Sequence, residues 1–287
     1  METTELLKKV RKIEIRSRGL TRQIFAGEYH SAFRGRGMAF SEVREYQFGD
    51  DIRNIDWNVT ARLGHPYVKI FEEERELTVM LLVDVSRSGD FGTAASTKRE
   101  LMTEIAAVLA YSVIVNNDKV GLMLFSDRVE KYIPPKKGRA HMLRIIREML
   151  SYEPSGSGTS LSEPLRYLTN VIRKRCTAFI LSDFMAPPFT ESLRIASGKH
   201  DVVALRISDR REREMPDIGF VKIADPETGK EDWIDTSSSR IRREYAERWK
   251  RHDETVSNTF VNCGVDVATV TTGADYIKPL ISLFKHR

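Results

Sequence analysis

The 287-residue sequence predicts an α/β fold: a three-layer arrangement around a doubly wound, mostly parallel sheet, preceded by an irregular, β-containing N-terminal extension. Three observations predict it. Short, nearly continuous apolar runs rich in β-formers, at 77–83 and 177–181, read as strands buried on both faces. Stretches with apolar residues at helical spacing lie between such runs, which is the alternation of βαβ units. With 41% hydrophobic and 30% charged residues, the chain has the make-up of an ordinary globular protein. At this length a single core can bury roughly 75% of the unfolded chain's surface, so neither disulfides nor a structural metal is required for stability.

Taken in order, residues 1–75 are polar and turn-rich and form the extension, while 76–287 form the α/β domain. Near the start, Leu6, Leu7, Val10 and Ile13 are spaced to face inward from a basic amphipathic helix. After the strand at 77–83, Thr97 and Glu100 form a capping box, and Leu101, Ile105, Val108, Leu109 and Val113 make the apolar stripe of the helix that follows. Runs at 119–125 and 128–133, separated by Ser126-Asp127, read as a hairpin. Helices are expected at 138–151 and 161–174, the second with a capping box from Ser160 to Glu163 and Pro164 in its first turn. The strand at 177–181 leads to a helix at 190–198 and a strand at 201–207. A polar β-excursion at 218–235, a long charged helix at 238–256, a strand at 265–271 and a helix at 275–285 complete the series.

Composition excludes several classes. The two cysteines, Cys176 and Cys263, sit in no CxxC or Cys/His cluster, which rules out a disulfide scaffold and a zinc-finger-type site; Cys176 is expected in the core and Cys263 at the surface. No run approaches the ~20 apolar residues of a membrane helix, and the basic start lacks the apolar region of a secretory signal, so a cytoplasmic location is expected. The net charge of +5 lies entirely in residues 1–36, with nine Lys/Arg against four Asp/Glu. That segment could touch nucleic acid or an acidic partner, but no nucleic-acid-binding motif accompanies it, and a solvated helix face explains it as well. Enzyme templates are missing: no GxxxxGK[ST], GxSxG or HExxH occurs, residues 92–98 lack the second glycine of a phosphate loop, and the six histidines show no ligand spacing.

In folds of this class ligands gather at the carboxyl ends of the strands. The first buried strand runs out into Asp84-Val85-Ser86-Arg87-Ser88, placing a carboxylate and two hydroxyls on one turn. The strand at 177–181 runs out into Ser182-Asp183, and between them the loop Ser155-Gly156-Ser157-Gly158-Thr159-Ser160 leads into a helix. Asp84, Ser86, Ser88, Thr159 and Asp183 are hard oxygen donors that suit Mg²⁺ or Mn²⁺. Two carboxylates ~4 Å apart repel by about 4 kcal/mol at an effective dielectric of 20, which a cation would offset. Asp and Ser also serve as turn formers and caps, so DxSxS alone does not establish a metal site.

Together these residues resemble the metal-ion-dependent adhesion site of von Willebrand factor type A domains. The stretch from Arg44 through Tyr46-Gln47-Phe48-Gly49-Asp50-Asp51-Ile52-Arg53-Asn54-Ile55-Asp56-Trp57 resembles the signature of the bacterial DUF58 proteins. Further matches are Thr60-Ala61-Arg62, Phe71-Glu72-Glu73-Glu74-Arg75, Val120-Gly121-Leu122 and Asp225-Pro226-Glu227-Thr228-Gly229, so the resemblance spans about residues 30–287. Two departures stand out: Gly89 occupies a place where family members often carry Met, and Ser160 one where many type A domains carry Asp. The resemblance implies a von Willebrand A-like domain that partners a MoxR-type AAA+ ATPase as adaptor or target.

The leading expectation is therefore a non-enzymatic, metal-dependent interaction module with no membrane insertion, binding a partner's Glu or Asp through Mg²⁺. Arg87 at the rim, with Arg44, Asp50, Arg53, Asp56 and Trp57 of the signature, would add partner contacts. For the signature residues, a network of guanidinium and carboxylates that locks the extension is the competing reading. The alternatives for the whole chain are a phosphohydrolase using the same carboxylates and a weak nucleic-acid binder acting through the basic N-terminus.

Overall fold

The computed structural model describes residues 13–14, 16–21, 39–72, 77–92, 96–156, 158–224 and 231–287. The described residues of Gly35–Leu77 form one unit, and those of Met1–Arg34 and Thr78–Arg287 another. This differs from an extension running unbroken over 1–75. Side chains at 14–21 bond to the larger unit: Arg139 reaches Glu14, Arg16 reaches Glu104, and the Thr21 hydroxyl donates to the Val108 carbonyl. Of the expected apolar face there, Ile13 is half-buried and Leu6, Leu7 and Val10 lie outside the described residues, while polar Glu14, Ser17 and Thr21 are buried.

In the smaller unit, β1 (Ala39–Glu45) pairs antiparallel with β2 (Tyr67–Glu72). A 3-10 turn at Ile52–Asn54 and helix α1 (Trp57–Leu63) connect them. Asp56 caps α1 by accepting from the Asn58 and Val59 amides, and Gly64 at φ 75° ends it in the left-handed region.

The larger unit is built on six strands: β3 (Thr78–Asp84), β4 (Lys119–Phe125), β5 (Val129–Lys136), β6 (Thr177–Ser182), β7 (Asp201–Ser208) and β10 (Asp266–Thr271). A separate polar hairpin, β8 (Phe220–Ala224) with β9 (Glu231–Asp235), sits in the expected excursion; 225–230, with the Asp225–Gly229 match, lies outside the described residues, as do Ser157 and 73–76. The sheet order is β10-β7-β6-β3-β4-β5, with only β5 antiparallel. This is the doubly wound order, and its switch point falls between β3 and β6.

Helices cover both faces. Helix α2 (Lys98–Val115) begins with the Thr97/Glu100 capping box, α3 is Arg139–Ser151, and α4 is Ser162–Val171. Helices α5 (Thr190–Lys199), α6 (Arg210–Arg213), α7 (Ser239–Cys263) and α8 (Ile277–Lys285) follow. Strand residues such as Met80, Leu82 and Ile180 join Leu165, Leu193 and Phe260 in the core beneath α4, α5 and α7. Helix α2 buries Ala106, Ala107 and Ala110 as well as its predicted stripe.

Three expectations are corrected. Ser160 does not cap α4, because its amide is drawn away to the Ser126 carbonyl and the helix starts from Leu161 without a side-chain cap. Helix α7 runs to Cys263: Val256, Phe260 and Cys263, spaced one turn apart, carry it into the core until Gly264 stops it at φ 63°. Cys263 is therefore buried. Among the described residues, no helix is long and apolar enough to cross a membrane.

Candidate metal centre

The site grows out of the carboxyl ends of β3 and β6. Asp84 closes β3, almost fully buried, and the chain then turns sharply because its Oδ1 accepts from the Ser86 amide at 2.9 Å. That turn brings the Ser86 and Ser88 hydroxyls to 3.0 Å from one another. Arg99 holds the turn from behind, donating to the Val85 and Ser86 carbonyls. Gly89 is buried, and a Cβ there would lie 3.4 Å from the Met102 terminal methyl, so Met102 already fills space that a longer side chain would need.

Opposite, at the end of β6, the Ser182 hydroxyl donates to Asp84 Oδ2 at 2.6 Å and accepts from the Phe184 amide at 3.0 Å. Asp183 turns its Oδ1 to the Met185 amide (3.0 Å) and its Oδ2 to the Lys98 ammonium (2.7 Å). Phe184, between them, is fully buried in the left-handed region at φ 59°. Burial, and then the charge of Asp183, push the Asp84 carboxyl up to about 6, against the hydrogen bonds from Ser182 and Ser86.

Thr159 is buried at the end of its loop, and the neighbouring Ser160 amide ties that loop to Ser126, just past β4. Glu130 anchors the loop's other end. Its Oε1 accepts from the Ser126 hydroxyl (2.6 Å) and the Gly156 amide (2.7 Å), and its Oε2 from the Ser155 hydroxyl (2.8 Å) and Tyr152 (3.1 Å). Burial alone would raise the Glu130 carboxyl, but these donors outweigh it and hold it at about 2. Its folded pKa thus lies below the ordinary value near 4.3, so its stabilisation is full above about pH 5 and is lost as pH falls toward about 2. Glu130→Gln is expected to lower the urea midpoint near neutral pH, with the gap to the unsubstituted protein closing between about pH 5 and 2. A gap independent of pH would show that the charge is immaterial.

Two residues the sequence reading passed over matter most. Ser182 links the two aspartate-bearing strands, and its position one residue before Asp183 was the available signal. Lys98 is the second. It is fully buried and paired with both Asp183 and Glu212 of α6, a cation at the site in addition to Arg87. Burial disfavours the ammonium, yet the facing carboxylates Asp183 and Glu212 hold its pKa above the ordinary lysine value. A lysine as the first residue of a helix opposes the helix dipole, and that mismatch was the sequence signal. Arg87 itself is exposed.

The donor set fits a divalent ion. Asp84 faces Asp183, Asp183 shares the Lys98 ammonium with Glu212, and the two serine hydroxyls stand at a spacing that one ion can bridge. Among the described residues no three His, Cys, Asp or Glu side chains gather around a common point, so such an ion would depend on hydroxyl oxygens.

The signature residues fall in the smaller unit, where most serve its own structure. Arg44 grips Asp50 with two bonds of 2.9 and 2.7 Å, and Asp50 also accepts from the Gln47 amide. Asp56 caps α1 and pairs with Lys69. Arg53 and Trp57 leave their side chains exposed. Elsewhere, Cys176 and His200 contact one another in the core; burial pushes the thiol up to about 12 and the imidazole down to about 4, leaving an unreactive pair.

A solved structure of BatB from Bacteroides thetaiotaomicron aligns with 14% identity and a TM-score of 0.47, over 73% of this chain and 98% of that one. An aerotolerance-related membrane protein from Bacteroides fragilis aligns with 14% identity and a TM-score of 0.48, over 73% and 97%. The Rv1480 protein of Mycobacterium tuberculosis is 31% identical over 293 residues, covering 100% of this chain and 91% of its own length. Residues 42–255 match the family model described as "Protein of unknown function DUF58". On the match to that family model over most of its length, the chain belongs to the DUF58 family.

Proposed function

We propose that the chain is a non-enzymatic, cytoplasmic protein-interaction module whose α/β domain recruits a partner through a bound Mg²⁺ or Mn²⁺. The observation that carries this reading is the pair of Ser86 and Ser88 hydroxyls beside the buried Asp84, with Asp183 facing it, at the sheet's switch point. Ser86, Ser88 and Thr159 would hold the ion, with Asp84 and Asp183 supplying charge. When bound, the ion offers a Lewis-acidic position to a carboxylate of the partner. Asp84 fixes the turn that presents the two hydroxyls, and Ser182 keeps Asp84 facing them. The family resemblance points to a MoxR-type AAA+ ATPase as that partner. Lys98 supports a non-enzymatic reading, because it is buried between carboxylates and is not free to clamp a phosphate at the rim.

The test is retention of the source organism's MoxR-type ATPase on immobilised protein in Mg²⁺ and in EDTA, for the unsubstituted chain and Asp84→Ala. Retention in Mg²⁺ alone, lost in the variant while its circular dichroism is unchanged, is the expected result. Equal retention by Asp84→Ala would overturn the reading.

A further inference from the structure

The metal-dependent reading gives no task to Lys98, although its ammonium is bound to Asp183, one of the residues that reading assigns to the ion. Its side chain has no exposure, its ammonium lies at the positive end of α2, and it is shared between Asp183 on one side and Glu212 on the other. Glu212 is itself held in place, because its second oxygen accepts from the Asp209 amide at 3.0 Å. An apolar side chain of similar volume would fill the space but leave Asp183 and Glu212 without their shared cation, so what the lysine contributes is its charge rather than its packing. What the lysine changes is the charge at the switch point. Asp84, Asp183 and Glu212 would together overbalance a divalent ion and leave the loaded site negative; with Lys98 present, the loaded site is neutral.

We propose that Lys98 is a built-in counter-cation that shares Asp183 with the divalent ion, so that the site holds the ion weakly by itself and, once loaded, is neutral enough to accept a partner's carboxylate. This rests on the metal-dependent reading above. Two positive groups competing for one carboxylate repel one another, and an anion approaching a neutral site meets no net repulsion. Lys98 is a positioning and charge-setting residue; it need not touch the ion.

The test is Mn²⁺ binding by titration calorimetry on the full chain, without any partner, for the unsubstituted protein, Lys98→Met and Glu212→Gln. Lys98→Met is expected to bind Mn²⁺ at least about tenfold more tightly and to gain a larger rise in melting temperature from saturating Mn²⁺. Glu212→Gln, which leaves Lys98 to Asp183 alone, is expected to bind at least about threefold more weakly. Mn²⁺ binding by the unsubstituted protein with equal or weaker binding by Lys98→Met would overturn the counter-cation role while leaving the metal reading standing. Binding by neither protein would overturn both. Should Lys98→Met fail to fold, Glu212→Gln decides alone: unchanged or tighter binding overturns the proposal.

Discussion

Phe184→Ala is expected to lower the unfolding free energy by about 3–5 kcal/mol, among the largest losses from a single truncation in this protein. Phe184 has no exposure, and its ring meets Phe260 edge-on at 4.9 Å and Phe189 at 6.0 Å. Its backbone sits at φ 59°, a conformation that costs a bulky L-residue about 1–2 kcal/mol. The aromatic contacts and the bond from its amide to Ser182 hold it there. Alanine keeps the backbone strain and loses the ring. Thermal unfolding should show a fall of about 10 °C, and Phe184→Leu a much smaller one. The loss bears on the site because Asp183 precedes this residue directly. A drop of under about 1 kcal/mol for Phe184→Ala would show that the ring does not hold the turn.

Gly121→Val should cost about 3 kcal/mol for the opposite reason, too much volume. Gly121 lies in β4, flanked by β3 and β5. A Cβ there would stand 2.5 Å from Met80 Sδ and 3.0 Å from both the Ile133 carbonyl oxygen and the Pro135 nitrogen. The methionine can swing aside, but the two backbone atoms cannot move without unpairing β5. The register explains the crowding: Val120 pairs with Lys136 and Leu122 with Ile133, so Pro134 and Pro135 bulge opposite Gly121 alone. Prolines have no amide to lose from the ladder, which is why this edge strand tolerates them. Urea unfolding of the valine variant checks the prediction, and an unchanged midpoint would mean that β5 yields freely.

Sequence by itself was enough for features set by close neighbours in the chain. The buried strands showed as apolar runs, and the start of α2 as the Thr97/Glu100 box, because both depend on periodicity or on contacts a few residues apart. The Asp84-Ser86-Ser88 cluster was legible for the same reason: the bond from the Ser86 amide to Asp84 spans two residues. The structural use of Arg44 and Asp50, six residues apart, belongs with them.

Tertiary structure decided what distant residues do to one another. Ser160 and Glu163 have the spacing of a capping box, but a strand end 34 residues earlier offers the Ser126 carbonyl, and the amide follows it. Ser182 reaches Asp84 across 98 residues, and Lys98 reaches Asp183 across 85 and Glu212 across 114. No local pattern encodes such pairs. They exist because parallel strands need long crossovers, and the crossovers bring the carboxyl ends of β3 and β6 and the start of α2 together at one end of the strands. The charge balance of the site follows from that convergence: desolvation makes each buried carboxylate seek a positive partner, and the fold determines which one lies within reach.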